Sequence, residues 1–297
     1  MHHGQGAARG DANRIVSPPA RPAAVDARKL ANRVYPLRIP LAPDEDKGWK
    51  AYPIFRGSTA ALRVLTCHAS VLTHDQCPHP PHRHDEDEIL MVLAGEVDIE
   101  VPDFDGDAQN GRLRLQAGQF AYYPAQFAHT LRTLSEEPAN YLMLKWQGGP
   151  GSQPPLAFGR FDALAPVASP SPEKGFRTRP LFDGPTASLE KLHGHASMLL
   201  PGAGYESHVD AHDVAIVVLE GEVETLGERV QPFGVIFYPA GQSHGMTNPG
   251  ATPARYVVFE FHGDTAHAAE TAGTAQAQDF MDPRRWTDAV KRWLAGR

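Results

Sequence analysis

Cysteine and long apolar runs are scarce in this sequence. Cys67 and Cys77 are the only cysteines among the 297 residues, and their spacing of ten fits neither a disulfide framework nor a zinc knuckle. No stretch approaches the roughly 18 apolar residues of a membrane-spanning helix, and the N-terminus lacks the apolar core of a signal peptide. We therefore expect a soluble, cytoplasmic protein with reduced thiols and no membrane partner.

Positive charge is also in short supply. Lys and Arg number 28 against 35 Asp and Glu, a formal net charge of −7, and no basic run offers the footprint that nucleic-acid binding needs. A small molecule is therefore the expected partner. Glycine and proline, by contrast, number 27 each, which favours many short strands and turns over a helical bundle. The composition predicts an all-β fold.

An internal repeat divides the chain into two similar units. "MVLAGEVDIE" from Met91 aligns with "VVLEGEVETL" from Val217 at an offset of 126, and "YYPAQFAHT" from Tyr122 aligns with "FYPAGQSHG" from Phe237 at an offset of 115. The polar segment 102–112 of the first unit accounts for the difference. We expect this insertion in a surface hairpin, because a loop tolerates extra length where paired strands do not.

Four potential metal ligands share one pattern in the first unit. His82 and His84 are two residues apart, so both point to one side of an extended strand, and Glu88 has the same parity. His129 lies on a later strand that can face them if the sheet closes. Burying three imidazoles and a carboxylate without partners is costly, and a divalent metal ion would remove that cost.

These residues resemble the two motifs of the cupin superfamily. The first, H-x-H-x3-E-x6-G, is matched by His82, His84, Glu88 and Gly95. The second, G-x5-P-x-G-x2-H, is matched by Gly118, Pro124 and His129, with Gln126 at the usual glycine. The resemblance implies a bicupin, two double-stranded β-helix (jelly-roll) barrels in tandem, with one divalent metal bound by His82, His84, Glu88 and His129. Fe(II) or Mn(II) is favoured, while Zn, Ni and Cu also suit these ligands.

The second unit departs from the first motif. His208 is retained, Asp210 replaces the second histidine, Val214 replaces the glutamate, and His244 completes the second motif. One interpretation is a degenerate site kept for structure or substrate binding. The other is a second metal held by His208, Asp210 and His244 as a 2-His-1-carboxylate set.

Two residues near this set extend the second interpretation. Arg255 could then bind the carboxylate of a 2-oxoglutarate-type cosubstrate. His212 has the strand parity of the ligands and could replace the missing glutamate.

The repeat and the composition predict the following divisions. Residues 1–48 are an N-terminal extension, partly disordered, that could cross to the opposite half as an added strand. Residues 49–150 form the first barrel, 151–185 a linker, and 186–264 the second barrel. Residues 265–297 form a spacer and a C-terminal amphipathic helix, with Asp282 as its N-cap and Trp286 on its apolar face.

A cupin metal keeps open coordination positions, so several functions remain open. The first hypothesis is a dioxygenase acting on a small polar, metal-chelating substrate, with Glu88 and Tyr123 in catalytic roles. The alternatives are an isomerase or lyase of a sugar or keto acid, and a non-catalytic small-molecule-binding or regulatory protein. We expect a monomer or homodimer. Further residues that flank His129 or follow it either pack in the core, as aromatic residues on barrel strands usually do, or line the pocket, namely Tyr122, Phe127, Tyr141, Lys145 and Trp146.

Overall fold

The fold is described from a computed structural model, which covers residues 29–263 apart from 103, 105, 107–110, 152 and 167–174. The expected C-terminal helix and the expected disorder of the first residues lie outside these ranges. Within them the chain forms strands and turns. None of this described part forms a helix long and apolar enough to cross a membrane.

The strands are numbered in chain order. Up to residue 148 they are β1 (Arg33–Tyr35), β2 (Trp49–Gly57), β3 (Leu62–Leu72), β4 (Asp87–Ala94), β5 (Glu96–Glu100), β6 (Arg112–Gln116), β7 (Gln119–Tyr123), β8 (Thr130–Arg132) and β9 (Ala139–Gly148). The later strands are β10 (Gly159–Asp162), β11 (Phe176–Gly184), β12 (Lys191–Leu199), β13 (Gly204–Val209), β14 (Asp213–Glu220), β15 (Val223–Thr225), β16 (Glu228–Val230), β17 (Val235–Tyr238), β18 (Ser243–Thr247) and β19 (Ala254–His262).

These strands build two barrels of similar design, which confirms the all-β prediction. The first barrel combines a six-stranded sheet, in the order β10-β7-β4-β9-β3-β2, with a three-stranded sheet, β6-β5-β8. The second combines the sheet β1-β17-β14-β19-β12-β11 with the sheet β13-β18-β15-β16. The insertion at 102–112 lies between β5 and β6, which pair antiparallel as the expected hairpin.

Each six-stranded sheet receives one edge strand from the segment that precedes the other barrel. β1 comes before the first barrel in the chain but pairs with β17 of the second, with Val34 opposite Ile236. β10 comes before the second barrel but pairs with β7 of the first, with Phe161 opposite Phe120. The N-terminal extension therefore does cross to the opposite half. The segment 151–185, expected as a linker, instead contributes β10 to one barrel and β11 to the other.

Strands of both large sheets are buried on both faces. On β4, Met91 belongs to an apolar layer shared by the two barrels, while its neighbour Leu90 belongs to the interior of the first barrel. In the shared layer the Phe120 ring lies 5.4 Å from that of Phe259. Alternation along a strand thus assigns each side chain either to the shared layer or to a barrel interior.

Two buried aspartates at equivalent positions tie the barrels together. Asp87 starts β4 and accepts hydrogen bonds from the hydroxyls of Thr186 at 3.0 Å and Ser188 at 2.7 Å, both near β12 of the other barrel. Asp213 starts β14 and accepts a hydrogen bond from Thr59, which precedes β3. The repeat therefore places a carboxylate of each barrel against hydroxyls of the other.

Replacing Asp87 by alanine should destabilise the fold. The hydroxyls of Thr186, Ser188 and Tyr122 all donate to this carboxylate and would lose a buried acceptor. We expect the free energy of unfolding to fall by about 2–4 kcal/mol, as measured by urea denaturation. Asp46→Ala, at an exposed position, is the control and should change it by less than about 0.5 kcal/mol. Equal transitions for the two variants would contradict this role of Asp87.

Candidate metal centre

Barrel closure brings the two halves of the histidine pattern together. His82 and His129 form an isolated antiparallel bridge, in which each backbone N–H donates to the other's carbonyl at 3.1 Å. Glu88 lies on β4 with the parity of Leu90, so its side chain points into the first barrel. A contact between positions 47 residues apart thus depends on the closed sheet.

The structure brings the three predicted histidine ligands together and places Glu88 beside two of them. One ring nitrogen each from His82, His84 and His129 lies within 4.8 Å of the other two. Glu88 Oε2 is 2.9 Å from His84 Nε2 and 3.5 Å from His129 Nε2. Glu88 and His129 are buried, with exposures of 0% and 2%. This group could hold a metal ion.

Backbone carbonyls orient the three imidazoles. Nδ1 of His82 faces the carbonyl of His129 at 3.2 Å, that of His84 faces Glu86 at 2.9 Å, and that of His129 faces Phe127 at 2.9 Å. A carbonyl only accepts hydrogen bonds, so in the neutral rings the proton belongs on Nδ1. This leaves the lone pair on each Nε2, the arrangement typical of metal-binding histidines.

Two buried ligand atoms lack a hydrogen-bond partner among the described residues, namely Glu88 Oε1 and His129 Nε2. The 3.5 Å contact between His129 Nε2 and Glu88 Oε2 is too long or misaligned to satisfy the ring nitrogen. A buried polar atom without a partner is costly, and a cation between these atoms would remove the cost. The residues therefore fit a divalent metal.

Electrostatics favours the protonation states that bind metal. Burial, with neighbouring cationic and imidazole groups, lowers the pKa of His82 to about 2, so its ring is neutral. Burial alone would raise the pKa of Glu88, but Lys145 and His129 outweigh it and hold that pKa well below its ordinary value. Neutral imidazole and ionised carboxylate are the forms that ligate a metal.

A buried lysine also contacts the ligands. Lys145 Nζ lies 2.8 Å from Glu88 Oε2 and 3.3 Å from His84 Nε2. It lies on β9 directly opposite Glu88, a register that spacing along the chain does not reveal. Its ammonium partly neutralises the carboxylate and would compete with a metal for it.

The predicted pocket residues separate by strand parity. Tyr123, Tyr141 and Lys145 point into the first barrel, whereas Tyr122 and Trp146 belong to the shared apolar layer. The interpretation of Tyr122 and Trp146 as pocket residues is therefore wrong, because their side chains lie on the other face of the sheet.

Tyr123 packs directly on a predicted ligand. Its ring stacks on His129 with a centroid separation of 4.2 Å, and its hydroxyl is buried without a hydrogen-bond partner among the described residues. Burial, with Glu88 and Tyr141 nearby, raises the pKa of Tyr123 well above its ordinary value. The phenol thus stays protonated and can donate a hydrogen bond inside the barrel.

Gln126 adopts the left-handed backbone conformation that glycine usually provides at this motif position. Gln126 has a φ of 65°, and the equivalent Gly241 of the second barrel has a φ of 79°. The Gln126 N–H donates to the carbonyl of His84 at 2.7 Å. The left-handed turn, uncommon for a side chain other than glycine, is therefore retained and holds the segment that carries His84.

The second barrel gathers the set His208, Asp210 and His244. Asp210 Oδ2 lies 3.6 Å from His208 Nε2 and 3.3 Å from His244 Nε2. Nδ1 of each ring faces a backbone carbonyl, that of Glu206 at 3.2 Å and that of Gln242 at 3.0 Å. The orientation matches the first barrel, but 47% of the His208 side chain is exposed against 12% for His84.

The structure overturns the hypothesis that Arg255 binds a cosubstrate in the second barrel. Tyr256 packs in the interior of that barrel, so its neighbour Arg255 points to the other face of β19. The Arg255 guanidinium donates to the carbonyl of Ala165 at 3.0 Å and lies 3.6 Å from Glu220. Strand parity thus directs the cation away from His208, Asp210 and His244.

Comparison with known proteins establishes the fold. Residues 71–145 match the family model described as "Cupin domain". A protein of Pseudomonas aeruginosa described as glyoxylate-induced superposes with a TM-score of 0.59 at 14% identity, over 91% of this chain and 100% of that one. No curated protein sequence matches.

Two enzymes are among the solved structures with this fold. The oxalate decarboxylase of Bacillus subtilis, an enzyme with Mn(II) centres, has a TM-score of 0.56 at 15% identity, over 90% of this chain and 86% of that one. The salicylate 1,2-dioxygenase of Pseudoaminobacter salicylatoxidans has a TM-score of 0.50 at 14% identity, over 71% and 72% of the two chains. At such identities the likeness concerns the fold alone.

Replacing His82 by alanine should lower metal binding. The variant loses one Nε2 donor, so we expect metal affinity at this site to fall about ten-fold or more, and the metal bound per chain to fall by about one equivalent. Elemental analysis of the purified proteins measures this, and circular dichroism checks that the barrel stays folded. His74→Ala, an exposed histidine, is the control. Equal metal content in both variants would rule out His82 as a ligand.

Replacing Lys145 by methionine should strengthen metal binding and weaken the metal-free fold. The ammonium no longer competes for Glu88, and an unpaired buried carboxylate costs about 3–5 kcal/mol of stability, which bound metal restores. Metal titration and urea denaturation with and without metal measure the two effects. Lys50→Met, on the edge strand β2, is the control. Weaker metal binding in Lys145→Met would show that the lysine positions Glu88 for the metal instead.

Proposed function

We propose that the first barrel is a metal-dependent enzyme. The premise is that residues 71–145 are a cupin domain. His82, His84, Glu88 and His129 would hold one divalent ion. The observation that carries this proposal is the cluster of three imidazoles, each with its Nδ1 facing a backbone carbonyl, beside a buried carboxylate that contacts His84 and His129. Fe(II) or Mn(II) is the preferred ion, and Zn, Ni and Cu also suit the ligand types.

The reaction that we propose is a dioxygenase reaction on a small polar organic substrate that chelates the metal. The bound ion supplies Lewis acidity and open coordination positions for substrate oxygens. Around it, apolar residues such as Leu90, Val92 and Met143 line the interior and exclude water. A dry interior strengthens the electrostatic interactions of the few polar groups that remain.

Lys145 supports an anionic substrate. Its buried ammonium lies 2.8 Å from Glu88 Oε2, and a substrate carboxylate that bound beside Glu88 would also gain a favourable interaction with this charge. Oxalate and salicylate, named for two enzymes of this fold, are carboxylates of this kind. We therefore propose a small carboxylate with a neighbouring oxygen as the substrate class.

Glu88 and Tyr123 are the proposed catalytic residues. Glu88 is ionised and can alternate between binding the metal and accepting a proton. Tyr123 remains protonated, and its hydroxyl has no partner among the described residues, so it can donate a hydrogen bond to a substrate oxygen. Its stacking on His129 holds the phenol beside the ligands.

One observation favours a second candidate, an isomerase or lyase of a sugar or keto acid. The Tyr123 phenol, which stays protonated, and the Glu88 carboxylate lie together at the histidine cluster, with Lys145 Nζ 2.8 Å from Glu88. An acid and a base next to a polarised carbonyl suffice for proton transfer and need no oxygen. The two candidates share the metal and the residues, and they differ in the requirement for O2.

For the second barrel we propose a further metal held by His208, Asp210 and His244. The carbonyl contacts at Nδ1 of both histidines support it. We also propose that the protein acts as a monomer or homodimer on a small molecule. We propose neither a nucleic acid nor a membrane as a partner, and the net charge of −7 supports this proposal.

Oxygen consumption should accompany turnover. Protein loaded with Fe(II) and supplied with small hydroxy- and keto-carboxylates should consume O2 in step with substrate loss, as followed with an oxygen electrode and by chromatography. The His82→Ala variant is the inactive control. Turnover under strict anaerobiosis would rule out the dioxygenase and favour the isomerase or lyase. Absence of turnover with every metal and substrate would favour a non-catalytic role.

A further inference from the structure

The second barrel has a glutamate, Glu260, at the strand position where the first barrel has Lys145. Glu88 faces Lys145 across β4 and β9. The equivalent pair across β14 and β19 is Val214 and Glu260. The glutamate missing from the first motif of this barrel is thus matched by a glutamate on the neighbouring strand, at the same level of the sheet.

Four histidines surround Glu260. Oε2 lies 3.0 Å from His262 Nε2 and 3.3 Å from His212 Nε2. Oε1 lies 3.8 Å from His195 Nδ1, and His193 completes the group on that side. One carboxylate oxygen therefore faces His212 and His262, and the other faces His195. His212, predicted as a replacement for the missing glutamate, instead approaches Glu260.

The ring geometry suits a shared ion. The His212 and His262 rings stack with a centroid separation of 3.9 Å, and their Nε2 atoms both approach the same oxygen. One atom from each of His212, Glu260 and His262 lies within 4.8 Å of the other two. Separations near 3.0 and 3.3 Å between donor atoms are those expected around one metal bound at about 2.0–2.1 Å.

The partners of Glu260 distinguish this group from an ordinary ion pair. Among the described residues, its contacts within ion-pair distance are with imidazoles, whereas Glu88 has an ammonium at 2.8 Å. About a fifth of the Glu260, His212 and His262 side chains is exposed, at 21%, 18% and 24%. The group is therefore open to ions from solution, and within the described part of the chain no ammonium lies at ion-pair distance from Glu260.

A neighbouring carboxylate orients one imidazole of the group, that of His193. His193 Nδ1 lies 3.0 Å from Asp183 Oδ1 on β11. Metal-binding histidines commonly donate their second ring N–H to a carboxylate in this way. The group thus has both a donor set and an outer contact of the kind found at metal sites.

We propose that the second barrel binds a divalent transition-metal ion at Glu260, with His212 and His262 as its nitrogen ligands and His193 and His195 beside the other carboxylate oxygen. This site is distinct in its residues from His208, Asp210 and His244. Imidazole and carboxylate donors suit zinc, copper and nickel. The inference is independent of the function proposed for the first barrel.

Zinc titration of full-length protein tests the proposal. The background variant carries His82→Ala and His208→Ala, which weaken metal binding at the motif sites of the first and second barrels. It should still bind about one equivalent of Zn(II), as measured by competition with a chromophoric chelator. Adding Glu260→Gln, which keeps the shape and removes the charge, should lower that affinity at least ten-fold. His74→Ala in the same background is the matched control and should change nothing.

Cobalt spectroscopy gives a second readout that does not depend on activity. The background variant loaded with Co(II) should show the visible absorption of Co(II) with a low coordination number. His262→Ala should change this absorption spectrum. Circular dichroism verifies folding, and if Glu260→Gln does not fold, His262→Ala provides the affinity comparison. A background variant without tight zinc binding, or zinc affinity unchanged in both ligand variants, would overturn the proposal. Neither result bears on oxygen consumption by the first barrel.

Discussion

Burial of both faces of the two large sheets is the constraint on which the rest of the structure depends. Because alternate side chains of a strand face opposite ways, the buried apolar residues of β4, β9, β14 and β19 belong either to the layer between the barrels or to one barrel interior. Polar groups on these strands therefore need partners, since a buried polar atom without one is costly. The apolar layer and the two aspartates between the sheets hold the barrels together, and the interiors hold the histidine clusters.

The two barrels differ in how they pair buried polar groups at equivalent positions. At the starts of β4 and β14, Asp87 and Asp213 both face hydroxyls of the opposite barrel. One residue further on, the pattern diverges, because Glu88 meets Lys145 whereas Val214 meets Glu260. Both barrels thus keep the structural aspartate, but the interior position that is a lysine in the first barrel is a glutamate in the second. In the first barrel an ammonium neutralises the carboxylate, and in the second barrel histidines surround it.

Local spacing predicted much of this molecule. The repeat predicted two similar units, and the runs around Ile89 and Phe120 predicted strands. The parity of His82, His84 and Glu88 placed these side chains on one side. Strand pairing was harder to predict. β1 and β10 add to the barrel opposite the one they precede, and the segment 151–185 resembled a linker because it is rich in Gly, Pro and Ser.

The sequence by itself determined which residues share a parity, where turns such as those at Gly95 and Gln126 occur, and which ligand types are available. Only the tertiary structure decided which strands meet. Lys145 and Glu260 come opposite their partners through registers between strands more than 40 residues apart. Spacing along a strand sets direction by steric alternation, whereas pairing across a sheet depends on how the whole chain closes.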